Sequence, residues 1–212
     1  MGSAEECHNL LLDFAEAIKP EFGIEYDEGV AGAPRFVEDL LFTHRGLSGP
    51  AVLQISSFWH AGEPLSIDLA PSLRIADALR EARDGARQQL GTALSAIVPR
   101  RLAQAWLADT AAGGPPAERR LAELGNAALS ALAMRLHDWR VRPAGTEGWR
   151  KAEVTAGGVA VDELDPRSLQ AHRVPGLHFI GEVVDVTGWL GGYNFQWAWA
   201  SGWCAAQALT AR

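Results

Sequence analysis

Residues 175–209 read PGLHFIGEVVDVTGWLGGYNFQWAWASGWCAAQAL, an order that predicts a strand, a glycine-rich loop and a long helix. The mostly apolar run at residues 177–183 is typical of a short strand that is buried on both faces. Gly191 and Gly192 have no Cβ, so the loop backbone can approach a flat ligand closely or adopt positive φ. Asn194 is a candidate cap for the helix, whose first turn directs free N–H groups and the positive end of the helix dipole into the loop.

This helix start favours an electron-rich oxygen or a phosphate, which it would stabilise without a basic side chain. Glu182 and Asp185 follow the predicted strand. Their carboxylates could accept hydrogen bonds from ribose or ribityl hydroxyls. The pattern therefore predicts a site for a nucleotide or a flavin. A strand–turn–helix with a purely structural role is the alternative that the residues leave open.

Upstream of this segment, residues 73–137 are rich in Ala, Leu and Arg, with apolar residues at every third or fourth position. This period predicts amphipathic helices whose apolar faces pack into a core. Glycines and prolines divide the region into four or five helices. The predicted breaks are Gly85, Gly91, Pro99, residues 113–116 and Gly125.

The N-terminal third mixes short helices and strands. Residues 5–18 have helical spacing and precede Pro20, which limits that helix. Ser48 is a plausible N-cap and Pro50 suits a first helical turn, so a short helix is predicted over residues 51–59. Residues 65–69 alternate apolar and polar side chains, which indicates a strand.

Further strands are predicted near Val141, at residues 152–154 and at residues 158–161. The fold class is therefore mixed α+β. Three parts are predicted: an N-terminal helix and partial β subdomain at residues 1–72, a helical insert at 73–140 and a C-terminal segment at 141–212.

Composition restricts the class of protein. The net charge of −7 is spread along the chain without a basic block, which disfavours nucleic acid and anionic membrane as partners. The two cysteines, Cys7 and Cys204, are far apart, and no histidine spacing suggests a metal site. No apolar run reaches membrane-spanning length, so a cytoplasmic protein is expected.

Three ordered motifs resemble the BaiN/YhiN-like flavoproteins, a family that includes aminoacetone-oxidase-type enzymes. The first is LFTHRGLSGPA at residues 41–51, the second is KAEVTAGGV at 151–159, and the third combines Gly181-Glu182-x-x-Asp185 with Gly191-Gly192-Tyr193-Asn194. The resemblance covers residues 36–212. It implies a partial Rossmann-like C-terminal segment of an FAD domain, joined to a β subdomain and a helical insert.

The resemblance implies FAD as the cofactor and a small organic molecule as the substrate. Gly181, Glu182 and Asp185 would approach the ribityl and pyrophosphate portion. Gly192, Tyr193 and Asn194 would direct the helix start toward the pyrimidine edge of the flavin. The loop from Thr155 through Gly157 to Gly158 would lie against the same cofactor, with Gly191 beside it. His44 is a candidate for a catalytic proton donor.

One expected motif does not occur in residues 1–34, namely the G-x-G-x-x-G turn that binds the ADP half of FAD. The sequence therefore suggests the C-terminal part of an FAD-dependent oxidoreductase that supplies flavin-side loops for hydride transfer. A separate N-terminal half or a second copy of the chain could complete it. A non-catalytic scaffold or interaction module is the alternative, and a site for another nucleotide or aromatic ligand at Gly191 is a third.

Overall fold

The computed structural model describes residues 34–83, 88–109 and 114–210, together with the backbone of residues 21–26. The predicted helix at residues 5–18 and the predicted break at Gly85 lie outside the described residues. The chain divides into two compact units between Ala144 and Gly145.

The first unit contains an antiparallel sheet of β1 (Glu21–Tyr26), β2 (Arg35–Asp39), β5 (Leu65–Asp68) and β6 (Trp139–Val141), in the order β2-β1-β5-β6. Ile24 pairs with Phe36 on one side and with Ile67 on the other. Ile67 in turn pairs with Trp139. The strand predicted at residues 65–69 and the strand near Val141 are both confirmed.

A second, two-stranded sheet pairs β3 (Leu41–Thr43) with β4 (Gly46–Ser48), and α1 (Pro50–Ser56) follows directly. Pro50 occupies the first turn of α1 as predicted, but the prediction of Ser48 as the N-cap is wrong. Gly49 is the N-cap, with φ 93° and ψ 172°, and its carbonyl accepts a hydrogen bond from Leu53 N–H. A Cβ on Gly49 would lie 2.8 Å from Asp39 O and 2.9 Å from Leu41 N, so only glycine fits here.

The helical region contains α2 (Ile75–Arg83), α3 (Leu90–Leu94), α4 (Arg100–Ala108) and α5 (Asn126–His137), with a 3-10 turn at Leu121–Glu123. The four helices among the described residues of this region agree with the predicted number. The prediction of a break at Gly91 is wrong because Gly91 lies inside α3. Its missing Cβ instead allows a close approach to Ala117, whose carbonyl accepts the Gly91 N–H at 2.9 Å.

Trp139 connects the helices to the β3–β4 sheet. Its ring stacks on Phe42 at 6.1 Å and contacts Trp106 of α4 edge-on at 5.4 Å. Both contacts belong to one buried core that also includes fully buried leucines of α2, α3 and α5. The apolar periodicity of residues 73–137 is therefore explained by packing, as predicted.

Two polar pairs join β5 to the end of α5. Ser66 Oγ donates to Asp138 Oδ1 at 2.6 Å, and His137 Nδ1 lies 2.8 Å from Asp68 Oδ1. Arg140 also contacts the Asp138 carboxylate. The Ser66 hydrogen bond, followed by Arg140, lowers the pKa of Asp138 below its usual value.

The second unit has little regular structure before α6 (Tyr193–Thr210). The buried strand predicted at residues 177–183 is wrong, since Leu177, Ile180 and Val183 are exposed and Gly181–Val183 forms a 3-10 turn. The strands predicted at residues 152–154 and 158–161 are also wrong. In the described part of this unit, neighbouring segments pair only through isolated bridges, such as Val159 with Val184 and Gln170 with His178. An apolar run without a continuous pairing partner cannot satisfy a strand's backbone.

Together the two units give a mixed α+β protein, which confirms the predicted fold class. Among the described residues, no helix combines the length and the apolar character that a membrane span requires.

Candidate functional site

The second and third motifs lie side by side in the second unit. Val159 N–H donates to Val183 O at 2.8 Å, and Asp185 N–H donates to Val159 O at the same distance. Gly158 has φ 141°, and a Cβ there would lie 2.5 Å from Val183 O. The close approach of these two segments therefore requires glycine at position 158, which gives the second motif a structural reason.

Gly181 fastens the same region to α6. Its N–H donates to Ser201 Oγ at 2.9 Å, and its carbonyl accepts Trp197 Nε1–H at 3.0 Å. Ser201 is buried on the inner face of α6, together with Ala205. The anchoring roles of Ser201 and Trp197 were not predicted from the sequence. A hydroxyl among small residues on a long helix was the available signal.

The glycine-rich loop before α6 is closed by Asn194. Gly188 N–H donates to Asn194 Oδ1 at 2.6 Å, and Asn194 Nδ2 donates back to Gly188 O at 3.1 Å. The prediction that Asn194 caps the helix is therefore wrong, because its amide is used across the loop. Between these residues, Gly191 and Gly192 adopt φ values of 120° and 85°, as expected for glycines that reverse the chain.

The start of α6 keeps the donors that the sequence predicted. Gln196 N–H donates to Gly192 O at 3.0 Å, so the amides of Tyr193, Asn194 and Phe195 precede it in the first turn. Such amides have no partner within an α-helix. The side chain of Asn194 turns away from them toward Gly188, and the Tyr193 ring lies against Gly191.

Two of the predicted polar residues are close to each other. Thr155 Oγ1 lies 3.5 Å from Glu182 Oε1, and both Glu182 and Asp185 are exposed. Gly157 has φ 85°, and a Cβ there would meet nothing within 4 Å. The structure thus brings Thr155, Gly158, Gly181, Glu182 and Asp185 into one region of the second unit. Their contact with a cofactor stays a prediction.

His44 lies in the first unit, at the exposed turn between β3 and β4. Thr43 stabilises this turn, because its Oγ1 donates to Gly46 O at 3.0 Å and accepts the Arg45 N–H at 3.2 Å. The first motif therefore builds a hairpin and the start of α1, and a catalytic role for His44 stays a prediction. No group of three His, Cys, Asp or Glu residues within the described ranges is arranged to hold a metal ion.

The outer face of α6 exposes large rings. Phe195, Trp199 and Trp203 are 77%, 78% and 67% exposed, and we call these three residues the aromatic stripe. Of the three tryptophans on α6, Trp197 alone is partly buried, and it packs against the small core of this unit. That core consists of Leu164, Ala171 and Val184.

Comparison with known proteins places the chain in a family. Residues 16–154 match the model for the HI0933-like protein barrel and H2TH domain. Two relatives bear the name ribosomal RNA dihydrouridine synthase. The Escherichia coli (strain K12) protein is 52% identical over 83% of this chain, and the Haemophilus influenzae protein is 42% identical over 82%. A 3-dehydro-bile acid delta(4,6)-reductase from Clostridium scindens is 46% identical over 67 residues, 32% of this chain and 16% of that protein.

The chain spans 43% of the length of each dihydrouridine synthase that it matches. The match to the family model nevertheless extends over most of the chain, from the residues before β1 to the segment just after β6. The chain therefore belongs to the HI0933-like protein family, whose model for the barrel and H2TH domain it matches over residues 16–154.

Proposed function

We propose that this chain is part of a flavin-dependent reductase that converts uridine in ribosomal RNA to dihydrouridine. The observation that carries the proposal is the pair of relatives with that name, at 52% and 42% identity over more than four fifths of the chain. A third relative, over a shorter match, is also named a reductase. The finer resemblance to BaiN/YhiN-like flavoproteins, with FAD as the cofactor, belongs to the same proposal.

The residues of the second unit fit a flavin. Gly157 and Gly192 have positive φ, and a Cβ on either would meet nothing within 4 Å, so a flat ring could approach the backbone there. The first-turn amides of α6 supply donors, and the exposed carboxylates of Glu182 and Asp185 supply acceptors. Donors suit the pyrimidine edge of the ring and acceptors suit the ribityl hydroxyls.

Each part of this region then has a defined role. A flavin held here and reduced by a nicotinamide would supply the hydride for reduction of the substrate's double bond. The amides of Tyr193, Asn194 and Phe195 would stabilise negative charge at the ring edge and so favour its reduced form. The Asn194–Gly188 bonds hold the loop that presents these amides. The reaction also requires one proton, for which His44 is the candidate donor.

The charge distribution supports RNA as the substrate in spite of the net charge of −7. Residues 73–140 contain ten arginines against seven acidic residues, a net charge of +3, and so differ in sign from the chain as a whole. Arg100 and Arg101 begin α4, and Arg119 is joined to the start of α3 through its carbonyl and Leu90 N–H. These side chains and that of Arg120 are exposed. Exposed arginines are the usual contacts to phosphate. The overall composition argued against nucleic acid, whereas this local excess favours it.

Recovery of the modification in cells tests the proposal. An Escherichia coli strain that lacks its own 52%-identical relative would express this chain together with the part of that relative outside the match. We expect dihydrouridine to return to the ribosomal RNA, measured by mass spectrometry of its nucleosides. His44→Ala would lower the yield if His44 donates the proton, whereas His60→Ala, at another exposed histidine of the same unit, serves as the matched control.

A complex that is folded and contains FAD but leaves the RNA unmodified would refute the proposal that ribosomal RNA is the substrate. The alternative of a non-catalytic scaffold is favoured by the exposed aromatic stripe. It predicts that the purified complex stays colourless after FAD is added. A visible flavin band with altered fluorescence would exclude it.

A further inference from the structure

We propose that the turn at residues 148–151 is a contact site for unpaired RNA, in which Trp149 stacks on a base and Arg150 and Lys151 bind the neighbouring phosphates. We call these four residues, Gly148 included, the tryptophan turn. This inference rests on the proposed function, because it specifies that the RNA reaches the second unit as a single strand.

The tryptophan turn has an ordered backbone. Lys151 N–H donates to Gly148 O at 3.0 Å, which closes the turn. Gly148 has φ 71°, a conformation that favours glycine. Trp149 and Arg150 are the two central residues, at the corner of the turn. The backbone hydrogen bond therefore fixes the position of the indole ring before a ligand binds.

The indole of Trp149 lies in solvent. It is 84% exposed, the largest fraction of any large apolar side chain that the structure describes. Single exposed apolar residues are common on protein surfaces, so exposure alone does not indicate a site. The residues beside the ring give it that meaning.

Two cations follow the ring directly. The side chains of Arg150 and Lys151 are exposed, and in the described part of the chain neither forms a salt bridge. The acids nearest in sequence, Glu147 and Glu153, do not pair with them, and Glu147 has an interaction of its own. Both cations are therefore available to phosphate next to the ring.

A ring with adjacent cations favours nucleic acid over protein as the ligand. Sites for single-stranded RNA combine aromatic side chains, on which bases stack, with cations that follow the backbone. The centres of protein interfaces are instead depleted in lysine. The aromatic stripe differs in this respect, because α6 contains no charged side chain.

The position of the turn in the chain indicates how the RNA approaches the candidate site. Trp149 precedes Thr155 by six residues, so the two lie at most about 22 Å apart. Thr155 Oγ1 in turn lies 3.5 Å from Glu182 Oε1. A few nucleotides of an RNA strand span such a distance. A base in a duplex would first have to leave its stack, at a cost that an unpaired strand avoids.

Binding of RNA by the full chain tests the proposal. The probe is a fluorescein-labelled oligouridine of about 12 nucleotides, a length that single-strand sites cover. In Trp149→Ala its affinity, measured by fluorescence anisotropy at low salt, should fall about 5- to 150-fold, as expected for the loss of one base–aromatic stack. Trp149→Phe should retain most of the affinity because it keeps a ring. Trp199→Ala is the matched control and should bind as wild type, because Trp199 is 78% exposed in the same unit but has no cation beside it in α6.

The preference for an unpaired strand is tested with the same probe annealed to oligoadenosine. The bases of this duplex stack on one another, and protein contacts are then mainly to phosphates and 2′-hydroxyls. Trp149→Ala should therefore bind the duplex with the same affinity as wild type.

The salt dependence of binding tests the two cations. Arg150→Gln and Lys151→Gln should each reduce the slope of log affinity against log salt by about 0.7, the value for one phosphate contact to a single strand. Arg167→Gln, at another exposed arginine of the same unit, should leave the slope unchanged. Circular dichroism spectra that match wild type would show that the variants are folded.

Three results would overturn the inference: equal affinity of Trp149→Ala and wild type, an equal loss in Trp199→Ala, or no binding of the probe. A protein occupant would give a different result. Oxidative labelling of Trp149 would then fall in a complex with the part of the Escherichia coli relative outside the match, and would not change with oligouridine.

The two proposals can fail separately. RNA binding that depends on Trp149, without formation of dihydrouridine, would retain the tryptophan turn as an RNA site and reject the reductase. Dihydrouridine formed at the wild-type yield by Trp149→Ala would retain the reductase and reject the tryptophan turn.

Discussion

Asn194 and Gly188 exchange two hydrogen bonds across the glycine-rich loop, with Gly188 N–H donating to Asn194 Oδ1 at 2.6 Å and Asn194 Nδ2 donating to Gly188 O at 3.1 Å. The side-chain amide of Asn194 thus forms the pair of hydrogen bonds that a neighbouring backbone segment would form in a sheet. It fixes the turn through Gly191 and Gly192, and it directs the Asn194 side chain toward Gly188 rather than toward the first-turn amides of α6.

Asn194→Ala should loosen this loop while leaving α6 folded. Removing both bonds leaves partly buried backbone groups of Gly188 without partners, at a cost of about 1–2 kcal/mol. The exchange rate of the Gly188 amide hydrogen should therefore rise about 5- to 30-fold. Gln196→Ala, at an exposed position of the same helix, is the control. Unchanged exchange in Asn194→Ala would mean that the loop is held by other contacts.

Gly49→Ala should destabilise the first unit far more than Gly62→Ala does. Both glycines have φ 93°, so an alanine at either position is strained, by about 1–2 kcal/mol or more. Only at Gly49 does a Cβ also meet Asp39 O and Leu41 N, at 2.8 and 2.9 Å, whereas at Gly62 it meets nothing within 4 Å. We expect a loss of about 3 kcal/mol or more at Gly49, measured by urea unfolding. Equal losses at the two sites would refute the steric explanation.

Ser66→Ala should remove a stabilising effect that depends on pH. Because the Ser66 hydrogen bond lowers the pKa of Asp138, its contribution is complete above the ordinary carboxyl value of 3.8 and is lost as pH falls through the lowered folded-state value. Asp138 is half exposed, so solvent screening limits the loss to about 1 kcal/mol at pH 7. The difference in unfolding free energy between wild type and Ser66→Ala should narrow progressively below about pH 4.

The control for that pH dependence is Ser56→Ala, whose hydroxyl donates to the Leu53 carbonyl rather than to a carboxylate. Its effect on stability should be the same at pH 7 and at pH 3. If Ser66→Ala also shows a constant difference over this range, Asp138 does not titrate through this bond.

Leu129→Ala should cost about 2–5 kcal/mol, because Leu129 is fully buried on α5 and its truncation leaves a cavity in the core. Met134→Ala, on the same helix at a position that is 65% exposed, should change stability by no more than about 0.5 kcal/mol. Thermal unfolding followed by circular dichroism would compare the two. Similar losses would show that α5 is not packed as described.

Local sequence signals predicted the first unit well and the second unit poorly. The helices of residues 73–137 follow from the spacing of buried leucines, and Pro50 correctly placed the start of α1. Ser48 is not the N-cap of α1 because it belongs to β4, where it pairs with Leu41. The capping propensity of serine alone could not reveal that Ser48 lies in a strand.

The wrongly predicted strand at residues 177–183 shows more clearly what local sequence signals cannot predict. An apolar run has the same composition whether it enters a sheet or lies along a surface, and its pairing partners are set by distant residues. For the candidate site, the motifs predicted residues that lie close together, since Gly158, Gly181 and Asp185 are in one region, and their role toward a cofactor stays a prediction. The two hydrogen bonds that fix Gly181, to Ser201 Oγ and from Trp197 Nε1–H, cross 20 and 16 residues of chain, so the sequence around Gly181 does not reveal them.

The pairing of Ile67 with Trp139 has a consequence for the order of folding. All four helices of the first unit's helical region lie between these two adjacent strands, so β6 can join the sheet only after the intervening chain has returned to its starting edge. Closure of so long a loop carries an entropic penalty that compact helices reduce. The native pairing of β5 with β6 should therefore form late in refolding, after the helices have collapsed around their leucines.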